Sequence, residues 1–168
     1  MNGIYTSLLV GAFILAGLNK AQSADVTITV NGRVVAKPCL VSTPTAAVPL
    51  GDLYTRDLTA AGAASNWHPV MLTLTNCPIG TSRVTATFSG TADSSGKYYA
   101  NQGTASHVVL QLEDSEGKEL PNGSTHMVAV NDVSQVASFS LKVRAFTSSG
   151  NVSSGSIQTV INVTYTYS

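Results

Sequence analysis

Beyond the first two dozen residues, apolar side chains recur at every second position. That period belongs to strands with one buried face, not to helices. Val26 to Val30 alternates cleanly, and so do Met71 to Thr75 and Arg83 to Phe88. Val108 to Leu112, Met127 to Val130 and Phe139 to Val143 are further short candidates, and Ile157 to Tyr167 is the longest. Turn-forming residues divide them: Asn31-Gly32, Asp93 to Gly96, Glu116-Gly117, Pro121 to Gly123 and Ser148 to Asn151. Glycine there supplies backbone freedom, while Asn, Asp and Pro pre-set the bend. Short strands punctuated by turns predict an all-β sandwich. The Ala60 to Ala64 stretch fits either a helical turn or a loop. Polarity comes from Ser, Thr, Asn and Gly; only 11% of residues are charged, and nine bases cancel nine acids. Such a chain has no electrostatic reason to bind nucleic acid or an anionic membrane.

Leu8 to Leu18 is an unbroken run of apolar and small residues. It is shorter than the roughly 20 residues of a comfortable membrane span. Ala21 and Ser23 place small residues where a signal peptidase reads them, so cleavage is expected after Ser23, with Ala24 as the neighbouring alternative. No Lys or Arg precedes the run, and a retained or lipid-anchored N-terminal helix is the competing reading. Pro38 lacks an N–H and restrains the residue before it, which marks a boundary at Lys37-Pro38. The expected organisation is a removed signal over residues 1–23, an N-terminal extension over 24–37 and one domain over 38–168. Export favours a disulfide between the two cysteines, Cys39 and Cys77. Closing that loop stabilises by roughly 3–4 kcal/mol on the chain-entropy view. A metal site or reactive thiol is the weaker alternative, since neither C-x-x-C nor clustered histidine is present.

The two terminal strands carry most information. In the extension, Val26, Ile28, Val30, Gly32 and Val34 share one face, and Thr27, Thr29, Asn31 and Arg33 share the other. One reading makes this the first strand of its own sandwich, with Asn31-Gly32 as a hairpin turn. The other sends the strand into a groove elsewhere, where Gly32 permits close backbone approach. At the far end, Ile157, Thr159, Ile161, Val163, Tyr165 and Tyr167 alternate with Gln158, Val160, Asn162, Thr164 and Thr166, and Ser168 follows. An edge strand with an apolar face invites self-association unless something covers it. An earlier strand is one candidate cover, and the Thr and Tyr hydroxyls are another remedy.

At this point the residues resemble a known family. Penultimate Tyr167, Gly155 standing fourteenth from the end and the alternating strand between them resemble the C-terminal signature of chaperone–usher pilus subunits. The stretches Asp25 to Cys39, Leu50 to Tyr54, Gly62 to His68, Leu74 to Gly90 and Asn101 to Ala105 are similar to the minor tip subunits of type 1 pili. The resemblance implies an incomplete immunoglobulin-like β-sandwich of six strands, missing its last strand, with a donor-strand N-terminal extension. It implies a disulfide between Cys39 and Cys77. It implies that Val26, Ile28, Val30, Gly32 and Val34 form a donated strand, and that Gly155, Ile157, Ile161, Val163, Tyr165, Tyr167 and Ser168 edge an acceptor groove. A periplasmic pilus chaperone would fill that groove transiently, gripping the Ser168 carboxylate. At an outer-membrane usher, the next minor pilin subunit would then take the chaperone's place. The tip adhesin pilin domain would receive residues 26–34. The implied protein is an extracellular adaptor in the pilus tip, exported through the periplasm and supporting cell adhesion.

A rod-forming major pilin and a self-complete secreted binding module are the alternatives. Catalysis is not expected: His68, His107 and His126 are scattered, and no Ser–His–acid or paired-carboxylate pattern is visible. His68 is expected near the disulfide edge. Glu113, Asp114, Glu116 and Glu119 are expected to form a solvated turn rather than a calcium site. No cofactor and no metal is expected.

Overall fold

The computed structural model describes residues 29–33 and 37–168. The expected signal segment and the extension residues Val26, Ile28 and Val34 lie outside the described residues. The chain divides into two compact units, 1–33 and 34–168. In the first, residues 29–33 form no strand and no turn, and Val30 is 86% exposed. Neither Asn31 nor Gly32 has a left-handed backbone. The tight type I′ hairpin needs positive φ at both central residues. Asn31-Gly32 is therefore not such a turn, and the hairpin reading of the extension loses its pivot.

The second unit consists of two antiparallel sheets. Eight strands are formed among the described residues: β1 (Leu40–Val41), β2 (His68–Thr75), β3 (Arg83–Gly90), β4 (Tyr99–Ala100), β5 (Val109–Asp114), β6 (Thr125–Ala129), β7 (Ala137–Phe146) and β8 (Ile161–Tyr167). Six of them have five or more residues, and β1 and β4 are two-residue pairings. One sheet has the order β1-β2-β7-β5-β4, the other β6-β3-β8.

Alternation explains the core. Along β7, Ala137, Phe139, Leu141, Val143 and Ala145 are buried while Ser138 and Ser140 face out. Val84, Ala86 and Phe88 of β3 meet them from the other sheet, with no exposed surface. Each large buried side chain contributes about 1.5–3 kcal/mol relative to exposure. Cys39 and Cys77 are joined, which ties the chain just after Pro38 to the end of β2.

Several expectations shift. The final strand begins at Ile161, not Ile157. The reason is local: the Gln158 N–H donates to Asn101 Oδ1 at 2.8 Å, and the Gln158 carbonyl accepts from the Gln102 N–H at 2.7 Å. A loop therefore holds this stretch where a strand partner was expected. Ala60 to Ala64 is a turn, with Gly62 at φ 82°, and a one-turn 3-10 helix lies just before it at Thr55–Leu58. His68 starts β2 and pairs with Val143, so it lies at the end of β2 away from Cys77 and the disulfide.

The acidic cluster is also not a solvated turn throughout. Glu113 and Asp114 are buried in β5. Asp114 Oδ1 accepts the N–H groups of Glu116 and Lys118, each at 2.9 Å, and His126 Nδ1 stands 3.6 Å from Oδ2. The turn's amides satisfy the carboxylate, which is what makes its burial tolerable.

Tyr99 is fully buried, and its hydroxyl donates to the Leu120 carbonyl at 2.9 Å. Burial pushes its pKa up to about 12. The folded state then holds this proton in a pH range where the unfolded chain has released it, so stability falls as pH rises from about 10 to about 12. Denaturant titrations across that range should show a loss of roughly 2–3 kcal/mol, and Tyr99→Phe should remove that alkaline component.

Candidate functional site

Strand β8 ends its sheet, and within residues 37–168 nothing pairs with its outer edge. Its inner edge is fully used: β3 matches it from Val84↔Tyr167 to Gly90↔Ile161. The two strands differ in burial. The inward residues of β3 have no exposure, whereas Ile161, Val163, Tyr165 and Tyr167 are only half-buried. An apolar face left half-covered beside unpaired backbone N–H and C=O groups is an incomplete sheet edge.

A groove of ≈ 1190 Å³ runs along that edge. Its floor is built by both sheets, from Phe88 of β3 to Leu110 and Leu112 of β5 and Leu141 and Val143 of β7. One wall is the run from Gly155 to Val163 with Tyr165; the other is Val41 and the segment from Thr43 to Leu53. The Thr159 hydroxyl, on the first wall, is buried with no hydrogen-bond partner. Leaving such a group unsatisfied costs about 1–3 kcal/mol. The groove is thus deficient in apolar cover and in polar partners along one line, which is what an added strand supplies.

The entry to β8 is fixed by close backbone crossing. The Ala105 N–H donates to the Ser156 carbonyl at 3.0 Å, and the Ser156 N–H donates to Thr104 Oγ1 at 2.8 Å. Asn101 Nδ2 reaches the carbonyls of Ala105 and Ser156 at 2.8 and 3.2 Å. A Cβ on Gly155 would lie 2.7 Å from the Thr104 carbonyl carbon and 2.8 Å from Ala105 Cα. Only a residue without a side chain fits that crossing. At the other end, the Ser168 carbonyl oxygen accepts the N–H groups of Ser82 and Arg83 at 2.8 and 2.9 Å, and Ser82 Oγ at 3.1 Å. Burial raises the pKa values of Tyr165 and Tyr167, and Tyr167 adds to the effect on Tyr165.

Of the candidate groove-edge residues, Gly155, Ile157, Ile161, Val163 and Tyr165 line the groove together. Tyr167 packs against the core opposite Val84, and Ser168 is docked on the start of β3; neither lines the groove. Of the candidate donor residues, Val30 and Gly32 are exposed, and Val26, Ile28 and Val34 lie outside the described residues. Sequence reasoning missed the Thr43 to Leu53 wall, where Pro44, Pro49 and Gly51 break any alternation. It also missed Asn101, a loop asparagine whose role depends on a partner 55 positions away.

Comparison with known proteins converges on one family. The family described as fimbrial protein matches residues 26–168. Protein FimG of Escherichia coli strain K12 is 63% identical over 147 residues, covering 88% of this chain and 87% of that protein. The crystal structure of the P pilus rod subunit PapA is similar with a TM-score of 0.64 at 23% identity, covering 84% of this chain and 100% of that one. A chaperone–usher pilus structure that addresses rod uncoiling is similar with a TM-score of 0.67 at 20% identity, covering 89% and 99%. The two structures share the fold.

Gly155→Ala should push Thr104 and Ala105 away from Ser156 and misplace the entry to β8. Overpacking of this kind costs about 1–3 kcal/mol. Denaturant unfolding of the chain, held in complex with a peptide that fills the groove, should show that loss. An unchanged midpoint would mean the crossing relaxes freely.

Proposed function

The chain belongs to the fimbrial protein family, and we propose that it is the adaptor joining the tip adhesin to the next subunit of a type 1-like pilus. It is a minor structural subunit of a chaperone–usher pilus, and such pilins associate with one another by donor-strand complementation. The family is one of structural pilins, and its place is the extracellular pilus.

The observation that supports donor-strand assembly is the open groove beside half-buried β8, and the tip position is supported by the 63% identity to FimG. In the proposed mechanism a periplasmic chaperone first lends a strand to this groove, with its basic groups on the Ser168 carboxylate. At the outer-membrane usher, the extension of the next minor subunit replaces it. Backbone pairing along β8 gives affinity, and alternate side chains seated on the floor give specificity. The Thr159 hydroxyl then gains a partner.

The extension acts in the opposite role. Val26, Ile28, Val30 and Val34 would be buried in the adhesin's pilin domain, with Gly32 where the backbone comes closest. Four such side chains contribute roughly 6–12 kcal/mol before ordering costs. Ladder hydrogen bonds add roughly 0.5–1.5 kcal/mol each. The acceptor's own core closes in the same step, so the joint dissociates very slowly. The driving energy is stored in the incomplete sandwich, and no nucleotide is needed.

Two variants separate the two roles. Ile28→Asp should weaken capture by the adhesin's pilin domain and leave chaperone binding intact, because the lesion lies in the donated strand. Truncation after Val163 should abolish the chaperone complex, because it removes Tyr165 from the groove wall, more than half of β8 and the terminal Ser168 that the chaperone is proposed to grip. Pull-down of both variants with chaperone and with adhesin pilin domain reads the outcome. If Ile28→Asp instead unfolds the domain of residues 38–168, the extension belongs to its own core and the adaptor reading fails.

A further inference from the structure

Two asparagines after the expected leader are followed by glycine, Asn31 and Asn122, and their surroundings differ sharply. Asn122 sits in the turn between β5 and β6, where its side-chain Oδ1 accepts the Gly90 N–H at 3.0 Å. The next nitrogen, that of Gly123, donates to the Phe88 carbonyl at 2.7 Å. Both groups that would have to meet for an intramolecular attack are therefore held by β3. Among the described residues nothing restrains Asn31 and Gly32 in this way: both are exposed, neither lies in a strand or turn, and no described atom stands within 4 Å of where a Gly32 Cβ would be.

We infer that Asn31 is a self-modification site that converts to aspartate and isoaspartate while the extension is free. The Gly32 backbone nitrogen attacks the Asn31 side-chain carbonyl carbon. A C–N bond forms, the nitrogen loses its proton to solvent, and the side-chain amide departs as ammonia. Water then opens the resulting cyclic imide at either carbonyl. One opening gives aspartate, and the other gives isoaspartate, whose backbone runs through the side chain. Each adds one negative charge, and isoaspartate also adds one methylene to the main chain.

The consequence for assembly rests on the donor-strand reading proposed above. An extra backbone atom between Val30 and Val34 breaks the two-residue register, so side chains on either side of it cannot seat together on one face. A strand already paired in a partner's groove is held extended and cannot form the ring. Asn31 is thus a clock that runs in the waiting subunit and stops on incorporation.

The test follows both sites in one sample. The chain is co-purified with its chaperone and incubated at mildly alkaline pH, and peptides containing Asn31 and Asn122 are monitored by mass and by isoaspartate content. Asn31 should convert roughly tenfold or more faster, since Asn122 must first break two hydrogen bonds. In denaturant the difference should collapse, and Gly32→Ala should slow Asn31 alone. Equal rates in the folded complex, or a faster Asn122, overturn the proposal. A separate arm compares free chain with chain in assembled fibre. Arrest of Asn31 in the fibre supports its link to assembly; fast conversion in both overturns the donor-strand reading while leaving the chemistry at Asn31 intact.

Discussion

Everything in this domain is organised around pairing on one side only of β8. Its inner edge is matched residue for residue by β3, and the two strands pack with β7 on a core in which Phe88 and Phe139 are fully buried. On the other side the same strand presents backbone groups and half-buried aliphatic and aromatic side chains to a groove. A sandwich can tolerate one such edge only if something else supplies its cover, because unpaired strands template association. The fold therefore keeps one such edge open beside an apolar groove. The disulfide and the Gly155 crossing then keep the open frame in shape: one ties the entry of the domain to β2, the other fixes where β8 begins.

The parts of this arrangement that could be seen in the sequence are those governed by local period. Arg83 to Phe88 and Phe139 to Val143 announce strands because their alternation is set by which face is buried, and the structure extends both without changing the faces. Ile161, Val163 and Tyr165 were visible as one face for the same reason. The family resemblance, rather than the period, is what proposes that face as an acceptor edge; the family match bears on the family alone.

What stayed hidden depends on contacts distant in sequence. Nothing local to Ile157 says that Asn101 and Gln102 will take the hydrogen bonds of Gln158, so the strand looked four residues too long. Glu113 and Asp114 looked like a wet turn because carboxylates are usually exposed. They are buried because a turn's own amides, His126 and Lys142 happen to converge on them. The Thr43 to Leu53 wall shows neither strand nor helix period; its position is defined only by the groove it faces.

The bond between Cys39 and Cys77 has a mechanical meaning as well. If the chain is pulled from its front end, the tension reaches Cys39 immediately before β1. The first strand there, β1, has only two paired residues and would unzip under a small load. The sulfur bridge diverts tension past it into β2, which is paired with β7 over seven residues. A tug along the fibre is thereby borne across a wide ladder at the centre of the sheet, not at its weakest margin, and a subunit deprived of that bridge would begin to fray from its first two residues.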